Sequence, residues 1–326
     1  MLQVPLQPVD SLVITTLMDN VSDALLIDQG PARRPGRRGV TARVAARFLE
    51  TGEAGDALQS EHGFSALLTV RKNGRQNRML FDAGLTPNGM AENARRLSVS
   101  LKDVEAVVLS HGHYDHTTGM DGFVRAVGRT NLPVIIHPDF WSRRRIAIPG
   151  SEPFEIPSTS KSALAGAGFE VIEERQPSFL LDGSVLVTGE VDRTTEFEKG
   201  FAVHQAFHDG GWRPDPLILD DQAVLLNVRD KGLVVLTGCG HAGVVNILRY
   251  AQRLTGIERV YAIIGGFHLN GPSFEPVIAP TAAALQEIAP EIIVPAHCTG
   301  WRATHALAAA FPDAFIQNSV GTRYEL

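Results

Sequence analysis

The stretch Leu109-Ser110-His111-Gly112-His113-Tyr114-Asp115-His116 carries four side chains that can bind a metal within six residues. The apolar, β-branched run 104–109 leads into it and predicts a buried strand. Side chains two residues apart in an extended segment point the same way, so His111 and His113 can hold one ion between them. The aspartate and the histidine that close the stretch fall where a helix is predicted to start, in position for a second ion. Histidine is scarce, with 11 in 326 residues, so a surface loop that gathers three of them by chance is a weak alternative.

Motifs of the same kind follow three other predicted strands. Each begins where an apolar run ends, and each contains one histidine: Thr237-Gly238-Cys239-Gly240-His241, Gly265-Gly266-Phe267-His268 and Pro295-Ala296-His297-Cys298. The glycines in the first two motifs let the backbone come close to a metal or a substrate. Three such placements would be unusual by chance, so we expect these strand ends to line one site.

The order H-x-H-x-D-H after an apolar strand resembles the signature of the metallo-β-lactamase-fold hydrolases. Phe81-Asp82-Ala83-Gly84 resembles the structural-aspartate motif of that superfamily. The three downstream histidine motifs resemble one branch of it, typified by 7,8-dihydropterin-6-methyl-4-(β-D-ribofuranosyl)aminobenzene-5'-phosphate synthase. The likeness runs from about residue 12 to the C-terminus, with insertions. It implies an α+β fold, a four-layer αβ/βα sandwich, and the β-rich first and second halves with interleaved helices agree with that.

The resemblance also implies a set of metal ligands. His111 and His113 would hold the first ion, Asp115 and His116 the second, and His297 would be the closing ligand. We expect a divalent metal, one or two ions, with zinc as the first choice. Mn and Fe stay open as alternatives because imidazole and carboxylate ligands suit all three metals.

The sequence departs from the superfamily pattern in two places. No G-H-T-P-G-like segment lies in 184–225, so the usual intermediate histidine is missing. Cys239 stands where a bridging aspartate is expected. We therefore expect His241 to supply the missing nitrogen ligand and keep Cys239 as a candidate thiolate ligand, with Asp221 or Glu190 as oxygen alternatives.

Other residues are expected to support the site or to contact the substrate. Asp82 would orient the metal-binding loop without binding the metal itself. Asp115 and His268 are the candidate catalytic residues, and His268 is expected to contact the substrate or to transfer a proton. Asn20 and His62 are further candidate substrate contacts, although Asn20 could simply cap a turn and His62 could be an ordinary surface histidine.

Length and composition limit the class of protein. Hydrophobic residues make up 44% of the chain and charged residues 20%, values typical of a globular protein. The net charge of −6 gives no general attraction to nucleic acid or to anionic membranes. No apolar run approaches the roughly 18 residues of a membrane span, and the N-terminus has no secretory pattern. We therefore expect a cytoplasmic protein with a small-molecule substrate and neither a nucleic-acid nor a membrane partner; the oligomeric state stays open.

The chain is expected to form a single domain over residues 1–326, with insertions at about 28–60, 140–162 and 192–216. The first insertion holds Arg33, Arg34, Arg37 and Arg38 among Gly and Pro. Val40, Val44 and Phe48 at helical spacing predict a short amphipathic helix within it. A lid, a docking element for a partner, or contacts to an anionic substrate are alternatives for this segment. The segments 140–162 and 192–216 are predicted to be loops.

These expectations lead to one main function and two alternatives. A divalent ion lowers the pKa of a bound water from about 15.7 toward neutrality and polarises a carbonyl or phosphoryl oxygen. The main prediction is a metal-dependent hydrolase that acts on a phosphoester or on a cyclic ester or amide. The second hypothesis is a dihydropterin-linked transferase, which forms a C–N bond and releases diphosphate. A metal-binding regulatory protein without efficient catalysis is the third, supported by the missing intermediate histidine.

Overall fold

The apolar runs of the sequence form two large β-sheets that pack face to face. A computed structural model describes residues 3–36, 42–129 and 131–326. The strands in these residues are β1 (Pro8–Val9), β2 (Ser11–Met18), β3 (Ala32–Arg33), β4 (Arg43–Ala45), β5 (Glu53–Gly55), β6 (Ser65–Lys72), β7 (Arg75–Phe81), β8 (Val104–Val108), β9 (Leu132–Ile136), β10 (Arg144–Ile146), β11 (Phe154–Ile156), β12 (Phe169–Glu173), β13 (Ser178–Leu180), β14 (Val185–Val187), β15 (His204–His208), β16 (Gly211–Pro214), β17 (Ala223–Val228), β18 (Gly232–Thr237), β19 (Val260–Gly266), β20 (Ile292–Ala296) and β21 (Arg323–Glu325).

The helices lie between these strands and cover the outer faces of the sheets. They are α1 (Gly89–Arg96), α2 (Met120–Val127), α3 (Lys161–Gly166), α4 (Val244–Thr255), α5 (Ile278–Ile288) and α6 (Trp301–Ala310). Short 3₁₀ turns at Tyr114–His116 and His297–Thr299 lie in the histidine motifs that follow β8 and β20. Such turns redirect the chain at a strand end and hold it close to the sheet edge.

The two sheets differ in strand order. The first sheet has the order β12-β9-β8-β7-β6-β2-β21-β3, and the second has the order β13-β14-β17-β18-β19-β20, with β1 paired to β17. Hairpins join β6 to β7 and β17 to β18, through turns at 72–74 and 229–232. Strands β18, β19 and β20 run parallel, with helices as crossovers.

Three apolar layers hold these elements together. Ile14, Phe81 and Leu236 belong to the layer between the sheets. A second layer packs α1 and α2 on the first sheet, and a third packs α4, α5 and α6 on the second. Each fully buried aliphatic or aromatic side chain contributes about 1.5–3 kcal/mol of transfer free energy. The order helix, sheet, sheet, helix is the four-layer αβ/βα sandwich, so the predicted fold class is confirmed.

The segments predicted as loops at 140–162 and 192–216 instead form a small antiparallel sheet together. We call this four-stranded unit, with the order β11-β10-β15-β16, the accessory sheet. Arg144 on β10 pairs with Ala206 on β15, so two segments about sixty residues apart depend on each other. The prediction of loops was wrong because neither segment has enough apolar residues to indicate a strand until its partner is known.

The predicted amphipathic helix within 28–60 is also wrong. Val44 lies in the β4–β5 hairpin, where it pairs with Ala54, and Phe48 is 91% exposed. A short helix is stabilised mainly by packing its apolar face, and Val44 and Phe48 both lie exposed. Val40 and the arginines Arg37 and Arg38 lie outside the described residues.

Within the described ranges, no helix combines the length and the apolar character that crossing a bilayer requires.

Candidate metal centre

The histidine motifs meet at one edge of the sandwich. The stretch 109–116 follows β8 of the first sheet, and the other histidine motifs follow β18, β19 and β20 of the second. The registers Thr237↔Gly265 and Gly265↔Pro295 place the carboxyl ends of these parallel strands side by side. The predicted convergence of strand ends is therefore present in the structure.

Three imidazoles form the group that we call cluster A: His111, His113 and His241, all buried. His113 Nδ1 lies 3.0 Å from His111 Nε2 and 3.3 Å from His241 Nε2. Burial holds the pKa of all three rings well below its usual range, so they are neutral bases. A neutral imidazole carries one N–H, so these facing nitrogens cannot all be satisfied by one another, whereas a shared cation satisfies all of them.

A second group, cluster B, contains Asp115, His116, Cys239 and His297. His116 Nε2 lies 3.2 Å from Cys239 Sγ and 3.2 Å from His297 Nε2. Asp115 Oδ2 lies 3.3 Å from His297 Nε2. A carboxylate, two imidazoles and a thiol within this distance of one another form a donor set able to bind a divalent metal.

Opposite charges set the protonation states in cluster B. Burial lowers the pKa of His116, but the carboxylates of Asp82 and Asp115 outweigh it and raise that pKa to about 9. Burial would raise the pKa of Asp115, yet the charge of His116 and the hydrogen bond with His297 hold it well below its usual range. A metal on Nε2 of His116 would therefore replace a proton, and the carboxylate beside it is already ionised.

Asp82 orients His116 without joining either cluster. One carboxylate oxygen accepts a hydrogen bond from the backbone N–H of Ser110 at 2.7 Å, and the other accepts from Ser110 Oγ and His116 Nδ1, both at 2.7 Å. Gly238 packs directly against this arrangement, because a Cβ there would lie 2.1 Å from Ser110 Oγ. The aspartate thus fixes the ring of His116 so that Nε2 faces cluster B.

His297 is held by the end of β2. Asp19 Oδ1 accepts a hydrogen bond from the backbone N–H of His297 at 2.7 Å. Asn20 donates to the carbonyl of His297 at 3.1 Å, and its own Oδ1 lies 3.3 Å from His297 Nδ1. Asn20, predicted to contact the substrate, thus contacts a metal-ligand candidate and also His62, whose Nδ1 lies 3.1 Å away.

His268 and His62 border a cavity of about 200 Å³ that opens beside both clusters. The ring of His268 lies 4.2 Å from that of His241, between centroids, and its Nδ1 is buried without a hydrogen-bond partner among the described residues. His62 is largely exposed, with Nε2 3.8 Å from Asp115 Oδ2. Both predicted residues are therefore at the site, and His268 has a free ring nitrogen to offer.

His204 is a residue of the site that the sequence prediction missed. It lies on β15 of the accessory sheet, is fully buried, and has Nε2 3.1 Å from Nε2 of His113. Its Nδ1 lies 2.9 Å from the carbonyl oxygen of Asp215. The only sequence signal was its place in a long polar segment, which does not show that β15 reaches the metal-binding loop.

Arg144 is buried next to this contact. Its guanidinium pairs with Asp215 at 3.3 Å and with Asp220, and Asp220 Oδ2 accepts a hydrogen bond from the backbone N–H of Gly112 at 2.8 Å. Buried arginine is stable only with such carboxylate partners. Arg144 and Asp220 therefore link the accessory sheet to Gly112. The contact between His204 and His113 is a second link.

The two oxygen alternatives for the metal lie outside cluster A and cluster B. Asp221 is buried, but its Oδ2 accepts from the backbone N–H of Ala242 at 2.9 Å, and it lies in neither cluster. Burial raises its pKa to about 7. Glu190 pairs with Arg175 at 2.8 Å instead. Cys298 packs beside the site, with Sγ 3.4 Å from the carbonyl oxygen of Cys239.

The comparisons with known proteins agree with this geometry. The model of the metallo-beta-lactamase superfamily matches residues 63–252. The chain is 29% identical over 266 residues to a 7,8-dihydropterin-6-methyl-4-(beta-D-ribofuranosyl)-aminobenzene-5'-phosphate synthase of Methanocaldococcus jannaschii, which covers 78% of this chain and 87% of the relative. It is 31% identical over 269 residues to an uncharacterised protein of the same organism, with 80% and 92% covered.

Among solved structures, the fold is similar to that of Tm1679, described as a metal-dependent hydrolase of the beta-lactamase superfamily. The TM-score is 0.70 at 23% identity, with 97% of this chain and 99% of that chain covered. At this level of identity the likeness shows the fold.

Proposed function

The chain belongs to the metallo-β-lactamase superfamily, and from that premise we propose that it is a metal-dependent hydrolase acting on a small phosphoester or a cyclic ester or amide. The observation that carries the proposal is the pair of facing ligand groups, cluster A and cluster B, at one sheet edge. Two adjoining cation sites next to a cavity suit a displacement at one electrophilic centre, because both the attacking and the departing oxygen can be stabilised there.

We propose zinc as the metal, with cluster A and cluster B holding one ion each. The three imidazoles of cluster A suit several divalent metals, whereas the thiol of Cys239 in cluster B favours zinc over manganese. When bound, such a cation supplies Lewis-acid chemistry, which lowers the pKa of water and polarises a carbonyl or phosphoryl oxygen. The residues of this chain then have to hold the substrate, exclude water and move protons.

Two side chains are proposed as catalytic. Asp115 stays ionised because of its charged neighbours, so it can accept a hydrogen bond from a nucleophile at neutral pH. His268 has an unpartnered ring nitrogen, and it lines the same cavity as Asp115. We assign it to contact with the substrate and to proton transfer toward the leaving group, and we assign His62 at the cavity rim to substrate contact.

The accessory sheet supplies the opposite, apolar wall of this cavity. Ile146 and the β11 residues Phe154 and Ile156 line it, together with Phe201. Polar chemistry on one side and an apolar wall on the other suit a substrate whose hydrolysable bond is attached to an apolar or aromatic body.

The proposal is tested by removing one ligand of cluster B. Asp115→Ala and His116→Ala should abolish turnover of a chromogenic phosphodiester or a lactone by the zinc-loaded protein, since each loses a charge or a donor of the site. Asp121→Asn, an exposed change on α2, is the matched control and should keep full turnover. Unchanged rates in both alanine variants, with folding intact by circular dichroism, would remove the hydrolase proposal.

The likeness to the dihydropterin-linked synthase supports a second candidate. It covers most of both chains, and a transferase that releases diphosphate could use the same cation sites to stabilise its leaving group. Incubation of the metal-loaded protein with a dihydropterin diphosphate and an aminobenzoate-type acceptor tests it. Diphosphate release that depends on the acceptor would favour the transferase, and hydrolysis of esters without such release would favour the hydrolase. A protein that shows neither activity after metal addition would instead fit a regulatory role.

A further inference from the structure

The outer face of the first sheet carries a cavity of about 610 Å³ that shares no residue with the one at the metal centre. It lies where the chain leaves α1, beside residues 97–100, and five arginines line it: Arg33, Arg34, Arg71, Arg78 and Arg323. Asp103 is the acidic residue among the described residues that line it. The cavity is thus strongly basic in a chain whose net charge is −6.

The strand register concentrates this charge. Arg33 on β3 lies directly opposite Arg323 on β21, and like charges in directly opposed positions destabilise a sheet. Glu325 offsets them only in part, at 3.4 Å from Arg33 and 3.6 Å from Arg323. Two further strands, β6 and β7, each add an arginine on the same side. Even with Glu325 counted, the wall of the cavity keeps an excess of positive charge.

The guanidinium of Arg78 is incompletely paired. Its Nη1 donates to the carbonyl of Ser100 at 3.2 Å and lies 3.4 Å from Asp103 Oδ2, while its Nε is buried with no partner among the described residues. Arg71 donates through Nε to the neutral amide of Gln76 at 3.1 Å. The guanidinium groups of Arg71 and Arg78 thus keep donors that no carboxylate within the described residues fully satisfies, and a bound anion could accept from those that face the cavity.

Part of the cavity wall is apolar. Val13, Leu67, Leu97 and Val99 contribute to it, between the arginines. Planar guanidinium groups bind phosphate oxygens in pairs, and apolar surface favours a ligand that carries a hydrocarbon or aromatic body. We propose that this cavity binds a phosphorylated small molecule with an apolar body, at a site separate from the metal centre.

The test uses phenyl phosphate and inorganic phosphate as probes, titrated calorimetrically into the full-length protein after metal removal by a chelator. Metal removal keeps phosphate from binding at the clusters. The double variant Arg71→Gln/Arg78→Gln should bind phenyl phosphate at least tenfold more weakly than the unchanged protein. Arg75→Gln/Arg229→Gln removes the same charge from exposed ion pairs with Asp182 and Asp10, outside the cavity, and should bind within twofold of it.

Two further measurements sharpen the result. Phenyl phosphate should bind several-fold more tightly than inorganic phosphate, because of the apolar wall. Arg78→Lys, which keeps the charge but loses the planar fork, should weaken binding without affecting folding, and it replaces the double variant if that fails to fold. Equal losses in the two double variants would mean general charge attraction and would overturn the proposal, as would the absence of binding at millimolar probe.

Discussion

Replacing His204 tests whether the accessory sheet supports the metal centre. His204→Ala removes the partner of His113 Nε2, a partly buried contact of 3.1 Å, and leaves that nitrogen unsatisfied. An unsatisfied buried donor costs about 1–3 kcal/mol, and loss of a partner behind a metal ligand typically costs about 10–100-fold in metal affinity. A tenfold loss corresponds to about 1.4 kcal/mol, so the two figures agree. We therefore expect zinc to bind His204→Ala 10–100-fold more weakly.

The assay is a competition titration of metal-free protein with zinc and a chromophoric chelator. The absorption of the cobalt-substituted protein reports the ligand geometry separately from catalysis. His208→Ala is the matched control, because His208 lies on the same strand but is exposed. His204→Gln should recover part of the affinity, since its amide can still hydrogen-bond to His113. Zinc affinity within twofold of the unchanged protein in His204→Ala, with the protein folded, would refute the supporting role.

Three other outcomes are expected. Asp82→Asn should lower zinc affinity by about 10–100-fold, measured in the same titration, because an amide has only one acceptor oxygen and cannot accept both from the backbone N–H of Ser110 and from His116. The pKa of His116 is about 9 in the folded protein, against about 6.5 in the unfolded chain. The stabilisation by protonated His116 is therefore complete below about pH 6.5 and is lost as the pH rises through 9. Denaturant unfolding of the metal-free protein should show a loss of about 3 kcal/mol over that window, and His116→Gln should abolish this pH dependence. Gly238→Ala should destabilise the fold, measured as a lower thermal midpoint, because its Cβ would lie within 2.1 Å of Ser110 Oγ; an unchanged midpoint would contradict the close packing.

The parts of the fold that the sequence predicts depend on short-range signals. The run 104–109 is apolar along most of its length, and this pattern predicts a strand that is buried on both faces. The turns at 72–74 and 229–232 determine their hairpins locally. The candidate metal ligands could be predicted in the same way, because the residues of cluster A and cluster B belong to motifs that each lie directly after a strand.

The parts that failed depend on pairing between distant segments. β10 and β15 stabilise each other across the chain, and neither has a periodic pattern of its own. The positions of His204 and Arg144 at the site could not be predicted for the same reason. The sequence shows neither that β15 is partly buried nor which carboxylates pair with the arginine. The position of Glu190 outside both clusters was hidden for a related reason: its partner, Arg175, comes from a different loop.

The origin of the ligands has a mechanical consequence. The stretch 111–116 belongs to the first sheet, whereas Cys239, His241 and His297 belong to the second. A cation shared by such donors would act as a rivet between the two halves of the sandwich, and its coordination distances would report any slippage of one half against the other. A substitution in the apolar layer between the sheets, at Leu226 for example, would then change the coordination distances before it lowers the melting temperature.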